Sequence, residues 1–595
     1  MAEYYNPQQE PGGEKRLLLV LFISFIGITL LNFFIKAPQQ PPKPGPEQQQ
    51  TQVQPSPSPS PSSTPGTAQS SLPAPKTKPS AASLPSKQAS SETETVIEND
   101  VYRITFSNQG ALVKSWVLKK YKDDFGKPLD MVNRVTSPVV GYPLSFYTYD
   151  QGLQKKLNEA LYVASATGPL SAPASLGYEY RDGDISARKV FKFDPTSYVI
   201  SVETEVVQND RRMPAYPAWP GGFGDQTVVS SYAAMRIDWD QNGNITRQAP
   251  QSGWFLTGKK WVVGGLTVNG PFQWTAVVDS YFTTAFMPES PKDAVAVTLH
   301  RSVEIPRNLD KPNEGEKDNT SVLGVALGSA DGLTRERLFV GPKAVDILES
   351  TRAQESGPDL RSIMDFGFFG FISRPLFLWL KWTHQHMINN WGWAIAFLTL
   401  VITIALLPLR ISGMKSQLKM QRIQPQIKAI NEKYKRYGIT DPRRAGMQQE
   451  ISEIYKREGV NPIGGCLPLL LQMPFLFAFY SMLGNAIELR QASWLWIHNL
   501  AAPDPVHILP IAIAITMFAT QKSTPQAGMD PTQQKMFALM TPLMMGMFSW
   551  SLAAGLGIYW GLSNILGYIQ QLAINRTEFG KQVQKTLDKR AKRKK

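Results

Sequence analysis

Apolar and polar residues fall into blocks of different period along this chain. Leu17 to Ile35 is an unbroken apolar run behind Lys15-Arg16. It is long for a signal-peptide core and no Ala-x-Ala site follows it. It predicts an uncleaved transmembrane anchor, with residues 1–16 in the cytoplasm. Residues 36–93 are rich in Pro, Ser and Gln and poor in large apolar side chains. Such a segment buries too little surface to offset the entropy of ordering, so it reads as a disordered tether.

From 94 to 355 the period changes to two. Val101-Tyr102-Arg103-Ile104-Thr105-Phe106 alternates and then meets Asn108-Gln109-Gly110. Lys189-Val190-Phe191-Lys192-Phe193 and Tyr198-Val199-Ile200-Ser201-Val202 alternate as well. Asp182-Gly183-Asp184 and Asn242-Gly243-Asn244 supply turns between further runs. Short strands with Gly and Asn turns predict a large antiparallel β-sandwich. A helical stretch over 356–388 follows. Ser373 is expected to cap a helix that begins near Pro375. Its mixture of Trp, Phe and Lys suits an amphipathic helix lying on a membrane surface.

Five apolar segments come next: Trp391–Leu409, Leu467–Ile487, Ile508–Ala519, Met536–Leu556 and Gly557–Ile574. Each reads as a span, the third being short and carrying Pro510. The last two are divided only by Ala553-Ala554-Gly555, read as a tight turn. The expected fold class is a multi-domain membrane protein. It has an α-helical core of five spans (389–575), an N-terminal anchor helix and a large all-β domain on the side opposite the N-terminus. This count places 410–457, 521–535 and the tail 576–595 in the cytoplasm. The tail is strongly basic, whereas the outer loops carry only Arg490, as the positive-inside rule requires.

Charge and composition sharpen the picture. The net charge is +14, from 62 Lys and Arg against 48 Asp and Glu, and the excess crowds beside the apolar segments. The single cysteine, Cys466, excludes an internal disulfide and a cysteine-based metal cluster. Within 414–459, Ile423, Ile427, Ile430, Tyr434 and Tyr437 form one helical stripe. Lys428, Lys433, Lys435 and Arg436 surround it, and Glu432 to Arg436 is a favourable i,i+4 pair. Gly438 and Asp441-Pro442 break the helix ahead of Arg443 and Arg444. Met447, Ile451, Ile454 and Tyr455 give a second stripe, so the pattern predicts an antiparallel helical hairpin. It either supplies only topogenic charge or docks a partner, through anionic lipid headgroups or the RNA surface of a ribosome.

The spans hold almost no charge but several polar residues: Thr399, Thr403, Gln472, Ser481, Thr516, Thr541, Ser563 and Asn564. Singly such residues are helix-to-helix glue; together they can line a wet cavity. Met and aromatic residues crowd the last spans, from Met536 to Trp560, where they either pack or offer an adaptable surface to varied apolar clients. No acidic residue sits mid-span, and paired repeats and broken helices are not evident, which weighs against a small-solute transporter. No phosphate-binding Gly-rich loop or His-Glu-x-x-His motif occurs, and His384-Gln385-His386 reads as a surface pair. The reading is of a non-enzyme without a cofactor.

Asn390-Trp391-Gly392, Leu407-Pro408-Leu409, Gln424-Pro425 and Asn461-Pro462-Ile463-Gly464-Gly465-Cys466-Leu467-Pro468 together carry a resemblance, extended by Gln472-Met473-Pro474 and Glu488-Leu489-Arg490-Gln491-Ala492. Trp496-Ile497-His498, Asp530-Pro531, Gln533-Gln534-Lys535 and Ser563-Asn564 continue it. The chain resembles the YidC membrane protein insertases of double-membraned bacteria. The resemblance implies an insertase and chaperone for nascent membrane proteins. It implies a hydrophilic groove open to cytoplasm and lipid, and a periplasmic β-supersandwich. It also implies ribosome, signal-recognition-particle pathway and Sec translocon as partners. Thr399 falls where the family has a groove threonine, and Tyr559-Trp560 on an aromatic pair that meets the client. The family's groove cation is missing, for Thr403 stands at its position. The nearest charge is Arg410, expected two turns on along the same helix and face. It either reaches back to the groove or anchors topology at the interface.

Overall fold

The computed structural model describes residues 85–123, 126–226, 232, 234–249, 265–306, 317–355, 357–434, 437, 444–460, 467–523, 531–578 and 580–582. The expected anchor, the tether up to residue 84, Lys435, Arg436, Arg443, the Asn461–Cys466 string, Asp530 and the tail from 583 lie outside them.

The period-two region is a three-sheet β-domain. Its largest sheet runs through Asn244–Gln248, Arg236–Gln241, Trp274–Val278, Phe282–Pro288, Leu333–Pro342, Val199–Gln208, Ile185–Phe193, Ala174–Asp182 and Val163–Ala164. Two five-stranded sheets flank it, centred on Tyr102–Ser107 and on Lys317–Ser329. Pairing is antiparallel except where Glu94–Glu98 runs parallel to Gly168–Ser171. Alternation is the cause of the architecture. Along Ile185–Phe193 every second residue, from Ile185 to Phe193, is buried. The turn at Asn242-Gly243 closes a tight hairpin, with both residues left-handed (φ +53° and +82°). Asn and Gly tolerate that geometry best. The end of the expected tether already joins the domain: Lys87 bridges Arg181, and Ala89 N–H donates to Leu161 O at 3.0 Å.

One inward position breaks the apolar rule. Lys189 is fully buried between Ala187 and Phe191. Its Nζ donates to the carbonyls of Gly110 (2.8 Å), Ala111 (3.1 Å) and Leu144 (2.7 Å), and sits 4.1 Å from the Phe146 ring centroid. Burial pushes its pKa well down.

Two short helices, α1 (Ser137–Val140) and α2 (Gln151–Glu159), decorate the β-domain, and α3 (Val345–Glu355) closes it. The helical region then comprises α4 (Gly370–His386), α5 (Trp391–Ala405), α6 (Leu407–Tyr434), α7 (Arg444–Arg457), α8 (Leu467–Asn485), α9 (Ile508–Ser523), α10 (Pro531–Ser549) and α11 (Ala554–Asn575).

Three expectations are corrected here. Helix α4 starts at Gly370, so Ser373 is internal rather than the cap; its Oγ donates back to Phe369 O at 3.1 Å. The first apolar segment is not one helix. It breaks at Leu406, beside Pro408, and α5 and α6 meet at 60°. Arg410 therefore lies beyond a bend, not further along one face of a straight helix. The last pair is joined by residues 550–553, and Gly555 and Leu556 belong to α11. Among the described residues no single helix is long and apolar enough to cross a membrane, whereas the bent pair α5–α6 passes together.

Helix α4 is two-faced. Ser373, Leu376, Phe377, Leu380 and Thr383 are buried, while Phe371, Leu378, Trp379 and Trp382 are exposed. At one end of the bundle the loops interlock. The side chain of Asn390 caps α5 by accepting from Trp393 N–H (3.1 Å) and donates to Ser493 O (3.0 Å). Asp504 accepts from Trp496 Nε1 (2.9 Å), Val506 N–H (3.0 Å) and Leu509 N–H (2.8 Å), which caps α9. Gly392 lies flat against the Trp494 indole, where a Cβ would overlap the ring. That is why glycine follows Asn390-Trp391.

Candidate functional site

The bundle interior is mostly apolar, with buried polar residues such as Thr399, Thr403, Ser481, Ser563 and Gln571, and at one junction it holds a guanidinium. Arg410, on the first turns of α6, is 9% exposed. Its Nη2 donates to Gln472 Oε1 of α8. Gln472 Nε2 donates in turn to Tyr559 Oη of α11 at 2.6 Å. The Tyr559 ring stacks on Phe479 with centroids 3.9 Å apart, which fixes the hydroxyl in place. Helix α11 also gives the guanidinium room at Gly567, whose Cβ would sit 3.6 Å from Arg410 Nη1. A cation is thus held at the meeting of three helices by a side-chain amide that uses both ends.

A guanidinium carries five donors and no acceptor, and a single neutral amide does not satisfy or neutralise it. No carboxylate is paired with Arg410 among the described residues. The bond to Gln472 orients the charge without cancelling it, so a field remains available to an anionic group. Trp560, next to Tyr559, is buried and packs edge-on to Phe548 (6.4 Å).

The expected site residues divide accordingly. Arg410, Gln472 and Tyr559 come together, and Trp560 adjoins them. Thr399 and Thr403 are buried on α5. The Thr399 hydroxyl donates to Ile395 O of its own helix at 2.7 Å, and Thr516 does the same to Ala512 O. These two act within their helices, as isolated threonines commonly do. Ser563 is buried four residues, about one helical turn, after Tyr559 on α11. Sequence reasoning put Gln472 and Tyr559 in the same expected groove as Arg410 but did not pair them. His384 stacks on Trp391 (3.9 Å) and His386 on Trp382 (5.4 Å).

The basic hairpin forms from α6 and α7. Ile423, Ile427, Met447, Ile451, Ile454 and Val460 make its core, with Ile430, Tyr434 and Tyr455 against it. Lys433 pairs across it with Glu450 at 2.6 Å, and Tyr434 Oη donates to the same carboxylate at 2.7 Å. The Lys433 bond, then the Tyr434 bond, hold the Glu450 carboxyl below its usual range. Lys428 and Lys433 are exposed. Arg444 opens α7.

Comparison with known proteins agrees with this architecture. Residues 382–582 match a family described as the 60Kd inner membrane protein, and 94–219 with 257–379 match the YidC periplasmic domain. A membrane protein insertase YidC of Geobacter metallireducens is 31% identical over 589 residues, covering 95% of this chain and 98% of that protein. One of Ralstonia nicotianae is 32% identical over 502 residues, 81% of this chain and 83% of its own. One of Wolinella succinogenes is 40% identical over 306 residues, about half of either chain at 51% each. A crystal structure of an active YidC insertase covers 83% of this chain at 16% identity and a TM-score of 0.35, a likeness too slight to bear on the fold. The chain belongs to the YidC family of membrane protein insertases. Its large β-domain is the family's periplasmic domain, and its helical region is the part shared with the inner-membrane module.

Proposed function

We propose that this protein inserts nascent membrane proteins into the inner membrane and helps them fold, alone or beside the Sec translocon. Its site is a hydrophilic groove, open to cytoplasm and lipid, lined by Thr399, Thr403, Arg410, Gln472, Tyr559 and Trp560. The N-terminal anchor and five core spans carry the chain, with both termini and the α6–α7 hairpin in the cytoplasm. The observation that supports this most is the buried, oriented but unneutralised Arg410 in a mostly apolar bundle.

The physics is simple. Carrying a charged tail through hydrocarbon costs roughly 2.5–3.5 kcal/mol per charge on insertion scales. A polar half-channel shortens the apolar distance, and Arg410 attracts an acidic tail into it. The client's apolar segment then leaves sideways into lipid, and its burial there drives the step. This scheme runs without nucleotide. Lys428, Lys433, Lys435, Arg436, Arg443 and Arg444 on the hairpin receive the ribosome, the signal-recognition-particle pathway or anionic lipid.

The experiment compares Arg410→Ala with Arg410→Lys in an insertion assay using a client with an acidic tail. The alanine variant should lose insertion, and lysine should retain part of it. Unchanged insertion in both ends the proposal for Arg410. A chain lacking 423–457 tests the hairpin, whose role fails if insertion persists.

A further inference from the structure

The segment Glu488-Leu489-Arg490-Gln491 takes no part in the site above, yet it reaches from the bundle into the β-domain. Arg490 enters the β-domain. Its Nη1 is 3.8 Å from Asp225 Oδ2, and its guanidinium lies over the rings of Tyr281 (5.6 Å) and Phe282 (5.4 Å). Both members of the ion pair are 8% exposed. Gln491 has left-handed backbone (φ +63°), unusual for a side chain of its size, and Nε2 donates at 3.1 Å to both Lys122 O and Asp123 O. Glu488 faces Lys381 of α4 at 3.8 Å, and Lys381 pairs with Asp346 of α3 at 2.6 Å.

The end of α8 is fastened as well. Asn485, its last residue, donates to Asp365 O (2.9 Å) and accepts from the buried Lys343 at 3.4 Å. Asp365 lies 3.8 Å from Arg247, which is equally far from the buried Asp238 that Arg236 pairs at 2.8 Å. Beneath these polar contacts the buried apolar residues of the β-domain and of the helices form one connected cluster. A desolvated guanidinium held between a carboxylate and aromatic faces fixes geometry, whereas exposed pairs scarcely do.

We propose that this seam locks the β-domain to α8, so that the two move as one body, and that Arg490 is a positioning residue for the Arg410–Gln472–Tyr559 junction. Gln472 and Asn485 share the helix Leu467–Asn485. A displacement of the β-domain therefore moves the amide that orients Arg410. The inference rests on the reading of that junction as the client site.

The test uses the full chain with Cys466→Ser, reconstituted in lipid. Spin labels are placed at exposed Glu304 of the β-domain and exposed Leu539 of α10. The variants are Arg490→Ala, Gln491→Gly, and the exchange Arg490→Asp with Asp225→Arg. Gln491→Gly suits the left-handed backbone and removes only the docking amide, so it reports even if the others misfold. Arg490→Ala and Gln491→Gly should broaden the interspin distances and lower insertion of an acidic-tailed client by about threefold or more. The exchange should restore both readouts. Unaltered distances, or broadened distances with full insertion, overturn the inference. Arg410→Ala is run alongside. If it alone keeps full insertion, the site reading fails, while the distance and insertion response of the Arg490 pair still decides the seam.

Discussion

Gln472 joins Arg410 to Tyr559 by using opposite ends of one amide: the oxygen accepts from the guanidinium and the nitrogen donates to the phenol at 2.6 Å. Replacing it with leucine strips a buried cation of its partner, and hydrogen bonds to charged groups are worth about 1.5–3 kcal/mol. Gln472→Leu should therefore cut insertion of an acidic-tailed client by about tenfold. Gln472→Glu separates orientation from field. It keeps Arg410 in place but neutralises it, so acidic-tailed clients should lose far more insertion than neutral-tailed ones. Equal loss for both client types would show that the charge plays no part.

Gly392 should tolerate nothing larger. A methyl there meets the Trp494 ring, so Gly392→Ala should destabilise the bundle by about 1–3 kcal/mol, as overpacking does. Adding Trp494→Ala should return part of that loss. Thermal unfolding in detergent measures both, and the double variant distinguishes overlap from any intrinsic cost of alanine.

Lys189 holds three carbonyls from two loops of the β-domain. Lys189→Ala removes the donor and opens a cavity, for an expected loss of about 3 kcal/mol. Lys189→Met fills the space and should lose less. Urea unfolding of the β-domain signal gives the comparison.

Lys343 makes the seam depend on pH. Burial first, then the nearby Arg236, pushes its pKa down to about 7, while Asp279, Asp238 and Asp365 pull the other way. The docked form thus binds fewer protons than a chain with Lys343 in water. Docking strengthens as pH rises from about 7 toward the free lysine value, by at most about 1.4 kcal/mol per unit, and this group adds no further change below 7. Glu488 acts in the opposite sense, since burial raises its carboxyl pKa. Protection factors for the Tyr281 and Lys343 amides, with the intrinsic pH dependence of exchange divided out, should rise with pH, and Lys343→Met should flatten that profile.

Elements specified by neighbours in sequence were legible before the structure. The stripe at Ile423, Ile427, Ile430 and Tyr434 packs against Met447, Ile451 and Ile454 because a 3.6-residue period is a local property. The alternating β-runs behaved likewise. Elements specified by distant partners were not. Gln472 meets Arg410 across 62 residues and Tyr559 across 87, and no period reports that. Lys189 sits on an inward position of its strand, where polarity argued for the outside. Ser373 resembles a cap but lies inside α4, because the helix takes in Gly370 through Ile372 first. The seam at Glu488–Gln491 was visible only as a motif, for its partners lie on α4 and on β-strands and loops more than a hundred residues earlier.

The 60° break at Leu406 carries a lesson about location. On a straight helix, seven residues separate two side chains by about 10 Å along the axis. After the bend, that length of chain is spent sideways, and Arg410 arrives between α8 and α11. Backbone geometry, rather than spacing along one helix face, brings this charge to the neighbourhood of Gln472 and Tyr559.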